Sequence, residues 1–126
     1  MRKALVVPLL LGLLTAPAFG QQEVEQHKID YLIAAIADLH DARFVRNGRE
    51  FDSLQAAEHL RFKFQHGCTR VMTAENFIAY CATGSSTTGE PYRIRFFNDR
   101  TIDVAAFLRD KLTTYEDSGM PGPTGK

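Results

Sequence analysis

Cys68 and Cys81 are the only thiols in this 126-residue chain. Cysteines at this spacing close a loop of about 14 residues, and joining them in an oxidising compartment is worth about 3 kcal/mol through loop-closure entropy. At 1.5 Å rise per residue, a helix opening at Thr73 carries Cys81 roughly 12 Å from its start, and the residues after Cys68 can fold back over that distance. The alternative is a buried free Cys81 beside a separate, exposed Cys68. No Cys-x-x-Cys spacing is present to support a redox-active pair.

Arg46 and Arg49 flank Asn47-Gly48 directly. A two-residue turn sets these like charges opposite each other, which is unfavourable unless an anionic group or solvent relieves it. The relief is either a bound ligand or partner carboxylate, the chain's own Glu50, Asp52 or Glu58, or hydration of a surface pair. A second feature is the hydroxyl-rich loop Ser85-Ser86-Thr87-Thr88-Gly89 leading to Tyr92. Its polar groups suit a sugar, a phosphate or a protein backbone, and they suit better still an ordinary polar connector whose side chains satisfy their own backbone. Thr88-Gly89-Glu90-Pro91-Tyr92 is similar to the Ser-Gly-x-x-Tyr loop with which some periplasmic inhibitors plug lysozyme, although Thr stands in place of Ser and those inhibitors are β-barrels. The candidate ligand- or partner-binding residues are therefore Arg46, Arg49, Ser85, Ser86, Thr88, Gly89 and Tyr92.

Catalysis has weaker support. A hydrolase using Ser85 or Ser86 needs a histidine base in reach and a third group to orient it. His27, His40, His59 and His66 are scattered; His59 and His66 share a helix face, yet two ligands are fewer than zinc takes. Surface histidines account for all four, so no catalytic residue, metal ligand or cofactor is assigned. Neither a glycine-rich phosphate loop nor a dinucleotide fingerprint occurs.

The elements that must position these residues follow from periodicity. Ile29, Leu32, Ile33, Ile36 and Leu39 recur at helical steps and predict an amphipathic helix over 23–40. Phe44 to Phe51 predicts a hairpin around Asn47-Gly48, which accept the positive φ of a type I′ turn. Asp52 with Gln55 forms a capping box for a helix ending near Gly67, its stripe being Ala56, Ala57, Leu60 and Phe64. Thr73 opens a short helix that Gly84 ends and that turns Ala74, Phe77, Ile78 and Cys81 inward. Tyr92 to Phe96 alternates as a half-buried strand, Asn98-Asp99 turns it into a return strand at 100–102, and Asp103 caps a final helix with Val104, Phe107, Leu108, Leu112 and Tyr115 on one face. The order α-β-β-α-α-β-β-α predicts an α+β fold, a small antiparallel sheet of two hairpins packed against about four helices.

The ends bound the location. Met1-Arg2-Lys3, the apolar run from Ala4 to Leu14 and small Ala18 and Gly20 read as a cleavable signal peptide, 1–20, cut after Gly20. Pro17 interrupts the run short of a membrane span, and no cysteine near the cut offers lipoprotein anchoring. Cleavage removes Arg2 and Lys3, so the 15 basic residues become 13 against 15 acidic, a balance that suggests no nucleic acid. The expected mature protein is one α+β domain, 21–116, with a disordered tail, 117–126. Its expected location is the periplasm, with no membrane span expected after cleavage.

Phe44-Val45-Arg46-Asn47-Gly48, Ala57-Glu58-His59-Leu60-Arg61-Phe62-Lys63, Thr73-Ala74-Glu75-Asn76-Phe77-Ile78 and Gly89-Glu90-Pro91-Tyr92 resemble the successive signatures of the YfeK-like proteins. These are small proteobacterial periplasmic proteins classed as a domain of unknown function. The resemblance implies export and supplies no activity or catalytic residues. The expected role is a non-enzymatic binding or interaction module of the cell envelope, whose partner is an envelope protein, a glycan or an anionic ligand. Inhibition of lysozyme or another envelope hydrolase through Thr88–Tyr92, and a small serine-dependent hydrolase, are the alternatives.

Overall fold

Asn47 and Gly48 take φ angles of 53° and 79°, the paired positive values that a two-residue hairpin turn demands. Around them, in a computed structural model that describes residues 18–119, β1 (Ala42–Arg46) pairs antiparallel with β2 (Arg49–Phe51), and Arg46 stands opposite Arg49. Most of the expected signal segment (1–17) and of the expected tail (120–126) lies outside the described residues. A second hairpin, β3 (Arg93–Phe96) and β4 (Thr101–Asp103), turns through Asp99 at φ 68°. The β1 and β3 strands pair antiparallel, Phe44 opposite Ile94, and so join both hairpins into one sheet of order β2-β1-β3-β4.

Strand alternation gives this sheet two faces. Ala42, Phe44 and Ile94 are buried in the core shared with the helices. Alternating with them, Arg95 pairs with Glu50 at 2.7 Å and with Asp99 at 3.5 Å, and Arg93 pairs with Asp103 at 3.3 Å. These pairs are exposed to solvent and contribute little to stability.

Among the described residues four α-helices complete the α+β fold. Helix α1 (Ala18–Ala37) buries Ile29, Leu32, Ile33 and Ile36. It stops at Ala37 instead of reaching His40, because the amides of Leu39 and His40 turn back to Ile36 and Asp38. Helix α2 (Ser53–His66) carries the expected capping box: the Asp52 carboxylate accepts from the Gln55 amide at 2.8 Å and Gln55 Oε1 accepts from the Asp52 amide at 3.0 Å. Helix α4 (Val104–Asp117) begins after Asp103, whose carboxylate turns to Arg93 and makes no cap hydrogen bond, a departure from the expected side-chain cap.

The third helix differs most from expectation. Thr73 caps α3 (Ala74–Asn76), accepting from the Asn76 amide at 3.0 Å, but from Phe77 to Ala82 the chain widens into a π-helical turn. Thr83 Oγ1 donates to the Ile78 carbonyl, five residues back, at 2.6 Å. The wider turn buries Phe77, Ile78, Cys81 and Ala82 together. Cys81 is joined to Cys68 in a disulfide with Cα atoms 5.8 Å apart. The α3 N-terminus is held from α1 as well, since the Ala74 amide donates to Glu25 Oε1 at 2.7 Å.

Candidate functional site

At the tip end of the first hairpin a groove of about 340 Å³ opens between the sheet and α2. Phe44, Phe51, Ala56, Leu60 and Val104 supply apolar lining, and Arg46, Gln55, Glu58, His59 and Tyr92 supply polar groups. The strand register explains the convergence: Val45 stands opposite Arg93, and Arg93 opposite Asp103, so Arg46, Tyr92 and Val104 come level at one end of the sheet. The capping box fixes where α2 starts, and Ala56, His59, Leu60 and Lys63 then fall on one helix face.

A chain of hydrogen bonds crosses the inner wall. Lys63 Nζ donates to the Tyr92 hydroxyl at 2.9 Å and to the Gly84 carbonyl at 3.0 Å. The Tyr92 hydroxyl lies 3.1 Å from His59 Nε2, and Arg46 Nη1 lies 3.3 Å from the same nitrogen. Lysine and arginine only donate, so the Tyr92 oxygen accepts from Lys63 and passes its own proton toward His59. His59 Nε2 therefore accepts from both neighbours, which assigns a neutral imidazole carrying its proton on Nδ1.

The electrostatics agree with that assignment. Burial lowers the His59 pKa, and the charges of Arg46 and Lys63 lower it further. Burial, then Arg46, lowers that of Lys63. Tyr92 is raised by burial, with Arg46 opposing. Lys63 is 9 % exposed, and its hydrogen-bond partners are neutral oxygens. It lies 4.9 Å from the centre of the Tyr92 ring. Neither Lys63 nor Arg46 forms an ion pair with any carboxylate among the described residues.

The acidic residues nearest in sequence to the Arg46–Arg49 pair are engaged elsewhere. Glu50 binds Arg95, and Asp52 caps α2. The two guanidinium groups instead lie over the Phe51 ring, 5.2 and 5.8 Å from its centre. Arg46 lines the groove, whereas Arg49 is exposed outside it.

The hydroxyl loop docks on the same hairpin tip. Asn47 Nδ2 donates to Ser85 Oγ at 3.2 Å, and Thr88 Oγ1 donates to Asn47 Oδ1 at 2.6 Å. Ser85 Oγ also accepts from the Thr87 amide at 3.2 Å, so this hydroxyl organises the loop. Among the described residues no histidine pairs with it. Ser86, Thr88 and Gly89 are exposed on the loop, and Gly89 takes a φ of 78°. Tyr92 is turned into the core, 6 % exposed. The loop therefore presents Thr88 and Gly89 outward without the tyrosine of the inhibitor-like pattern.

Of the sequence-based candidates, the structure brings Arg46 and Tyr92 to one groove and ties Ser85 and Thr88 to Asn47, the residue after Arg46 at the hairpin tip. Arg49, Ser86 and Gly89 do not line the groove. Sequence reasoning missed His59 and Lys63 as partners of Tyr92. The signal was present: positions 56, 59, 60 and 63 follow the i, i+3, i+4, i+7 pattern of a core-facing stripe, with two basic residues inside it. Among the described residues no three His, Cys, Asp or Glu side chains gather as metal ligands, and no helix is long and apolar enough to cross a membrane.

Residues 23–116 match a family of unknown function, DUF5329. An uncharacterized protein, YfeK, from Salmonella typhimurium is 38% identical over 91 residues, which cover 71% of this chain and 76% of that protein. No solved structure matches the chain.

Proposed function

This chain belongs to DUF5329, a family of unknown function, and we propose that it acts as a non-enzymatic binding module of the bacterial cell envelope whose ligand site is the groove between the first hairpin and α2. The observation that carries this reading is the groove itself. It combines an apolar lining with an arginine that no carboxylate among the described residues neutralises. Ligand sites are commonly built this way, with an apolar concavity and a few converging polar groups. The signal-like residues 1–20 support export to the periplasm as part of the same proposal.

The two alternatives draw less from the geometry. In the inhibitor-like stretch Thr88–Tyr92 the tyrosine is buried and its hydroxyl is engaged by His59 and Lys63, so it is not presented to a partner. A serine hydrolase needs a serine–histidine pair, and the Ser85 hydroxyl is committed to Asn47 and its own loop.

The test is the thermal unfolding of the exported protein in the small-molecule fraction of a periplasmic extract, beside an Ala56→Phe variant that fills the groove. A rise in midpoint for the wild type, absent in the variant, is the expected result. An equal rise in both, or none in either, overturns the groove as the binding site.

A further inference from the structure

Resting on that reading, we infer that the groove binds a small monoanionic carboxylate with an apolar, ring-sized body, the carboxylate lying against the guanidinium of Arg46 and the body on Phe44, Phe51, Leu60 and Val104. The size of the space comes first. A cavity of about 150 Å³ is enough for benzene, so the 340 Å³ here accommodates a ring and a short arm in a site partly open to solvent.

The charge follows from three observations. Arg46 uses one of its N–H groups toward His59 and rests over the Phe51 ring, leaving the remaining donors of its planar fork without a partner among the described residues. The contact with the ring, 5.2 Å from the guanidinium carbon to the ring centre, uses none of the N–H donors, and a guanidinium fork suits a carboxylate through two parallel bonds. Behind the wall, Lys63 adds a buried positive charge held by neutral acceptors, and a buried charge without a counter-ion is costly unless something offsets it. Glu58 also lines the groove. It pairs with neither cation among the described residues, but a carboxylate at the groove repels a second negative charge on the occupant, which favours a monoanion over a dianion such as a phosphate monoester.

A neutral His59 is compatible with this occupant. Its Nε2 is filled by Arg46 and Tyr92, so the imidazole acts as an acceptor that steers the guanidinium. His59 is thus a positioning residue for Arg46.

The experiment is an amide-resolved NMR titration of the exported protein with 3-phenylpropionate, its neutral amide 3-phenylpropionamide, and phenyl phosphate. Saturable shifts centred on Val45, Arg46, Ala56 and His59 are expected with 3-phenylpropionate, which should bind about tenfold more tightly than either other probe, since a charge-assisted hydrogen bond is worth that factor or more. Arg46→Gln should weaken 3-phenylpropionate by a similar factor, and Arg109→Gln, changed at an exposed position of α4 that does not line the groove, should leave it unaltered. Dispersed spectra establish that each variant is folded.

Equal binding of the amide, tighter binding of phenyl phosphate, an unaffected Arg46→Gln variant, or no shift with any probe would each overturn the carboxylate assignment. The groove reading would then stand or fall separately on the extract experiment with Ala56→Phe. A ligand found there and no preference for carboxylate here means that the site is right and the chemistry wrong.

Discussion

Asn47 Nδ2 donates to Ser85 Oγ at 3.2 Å, across 38 positions of sequence, and in return Asn47 Oδ1 accepts from Thr88 Oγ1 at 2.6 Å. One side chain thus satisfies the positive φ of a hairpin turn and fastens the hydroxyl loop to the tip of that hairpin. The loop is closed at its base as well: the Tyr92 amide donates to the Thr83 carbonyl and the Ser85 amide to that of Glu90. There Gly84 leaves no space for a side chain, since an added Cβ would sit 2.6 Å from the Glu90 oxygen. Arg46 and Tyr92 are consequently set by two elements that lock each other.

Asn47→Gly keeps the backbone angles and removes both ties. We expect a loss of about 1–2 kcal/mol in urea unfolding and faster hydrogen exchange at the Gly89 amide, which donates to Ser85. Asn47→Ala adds the cost of a left-handed alanine and should lose about 1 kcal/mol more. Unchanged stability in Asn47→Gly would mean that the loop is held by its base alone.

Tyr92→Phe retains the ring and deletes the oxygen between Lys63 and His59. Lys63 then keeps one protein acceptor, the Gly84 carbonyl, and stability should fall by about 1–3 kcal/mol. Lys63→Met, by contrast, removes the buried charge itself and should be near neutral or stabilising. It should also raise the His59 pKa, read from the ring proton shifts, because Lys63 is one of the charges that lower it. A lower His59 pKa in Lys63→Met would contradict the assigned hydrogen-bond chain.

His59 makes stability depend on pH, and the sign is fixed by its depressed pKa. Below the ordinary value of about 6.5 the unfolded chain takes up a proton that the folded protein resists. The contribution is therefore complete above about 6.5 and is lost as pH falls through the folded value. The groups that face the imidazole act in this direction or are neutral: Arg46 from β1, Lys63 on the same helix, and the Tyr92 hydroxyl ahead of β3, with Glu58 the one carboxylate on the groove. Urea midpoints compared between pH 7.5 and 5 should fall less for His59→Gln than for the wild type. Identical slopes would show that His59 is not held neutral.

Reducing the Cys68–Cys81 bond should cost about 3 kcal/mol by loop-closure entropy. Paired urea titrations with and without reductant measure this. The loss should be accompanied by faster exchange across the π-helical turn, where Cys81 is fully buried. A difference under about 1 kcal/mol would place the stability of that turn in its apolar packing.

Local rules written in single residue types determined much of this protein. Asn47-Gly48 specified the hairpin turn because these residues accept positive φ, Asp52 and Gln55 specified the start of α2 because each can bond the other's amide, and the apolar stripes specified which faces turn inward. The pairing of Cys68 with Cys81 was within reach of the same arithmetic. The π-helical turn was not, because the stripe from Ala74 to Cys81 reads equally well as α-helix and the widening depends on burying Phe77 and Ala82 together. Tertiary structure alone decided the site. No local rule states that β1 pairs with β3, yet that register is what sets Arg46 level with Tyr92, and the docking of α2 across them is what turns His59 and Lys63 from surface bases into a half-buried and a buried partner of Tyr92. Tertiary structure brings to Tyr92 three residues, Lys63, His59 and Arg46, that sequence keeps 29 to 46 positions away from it, and its energy comes from burial shared among whole faces rather than from any motif that one segment carries.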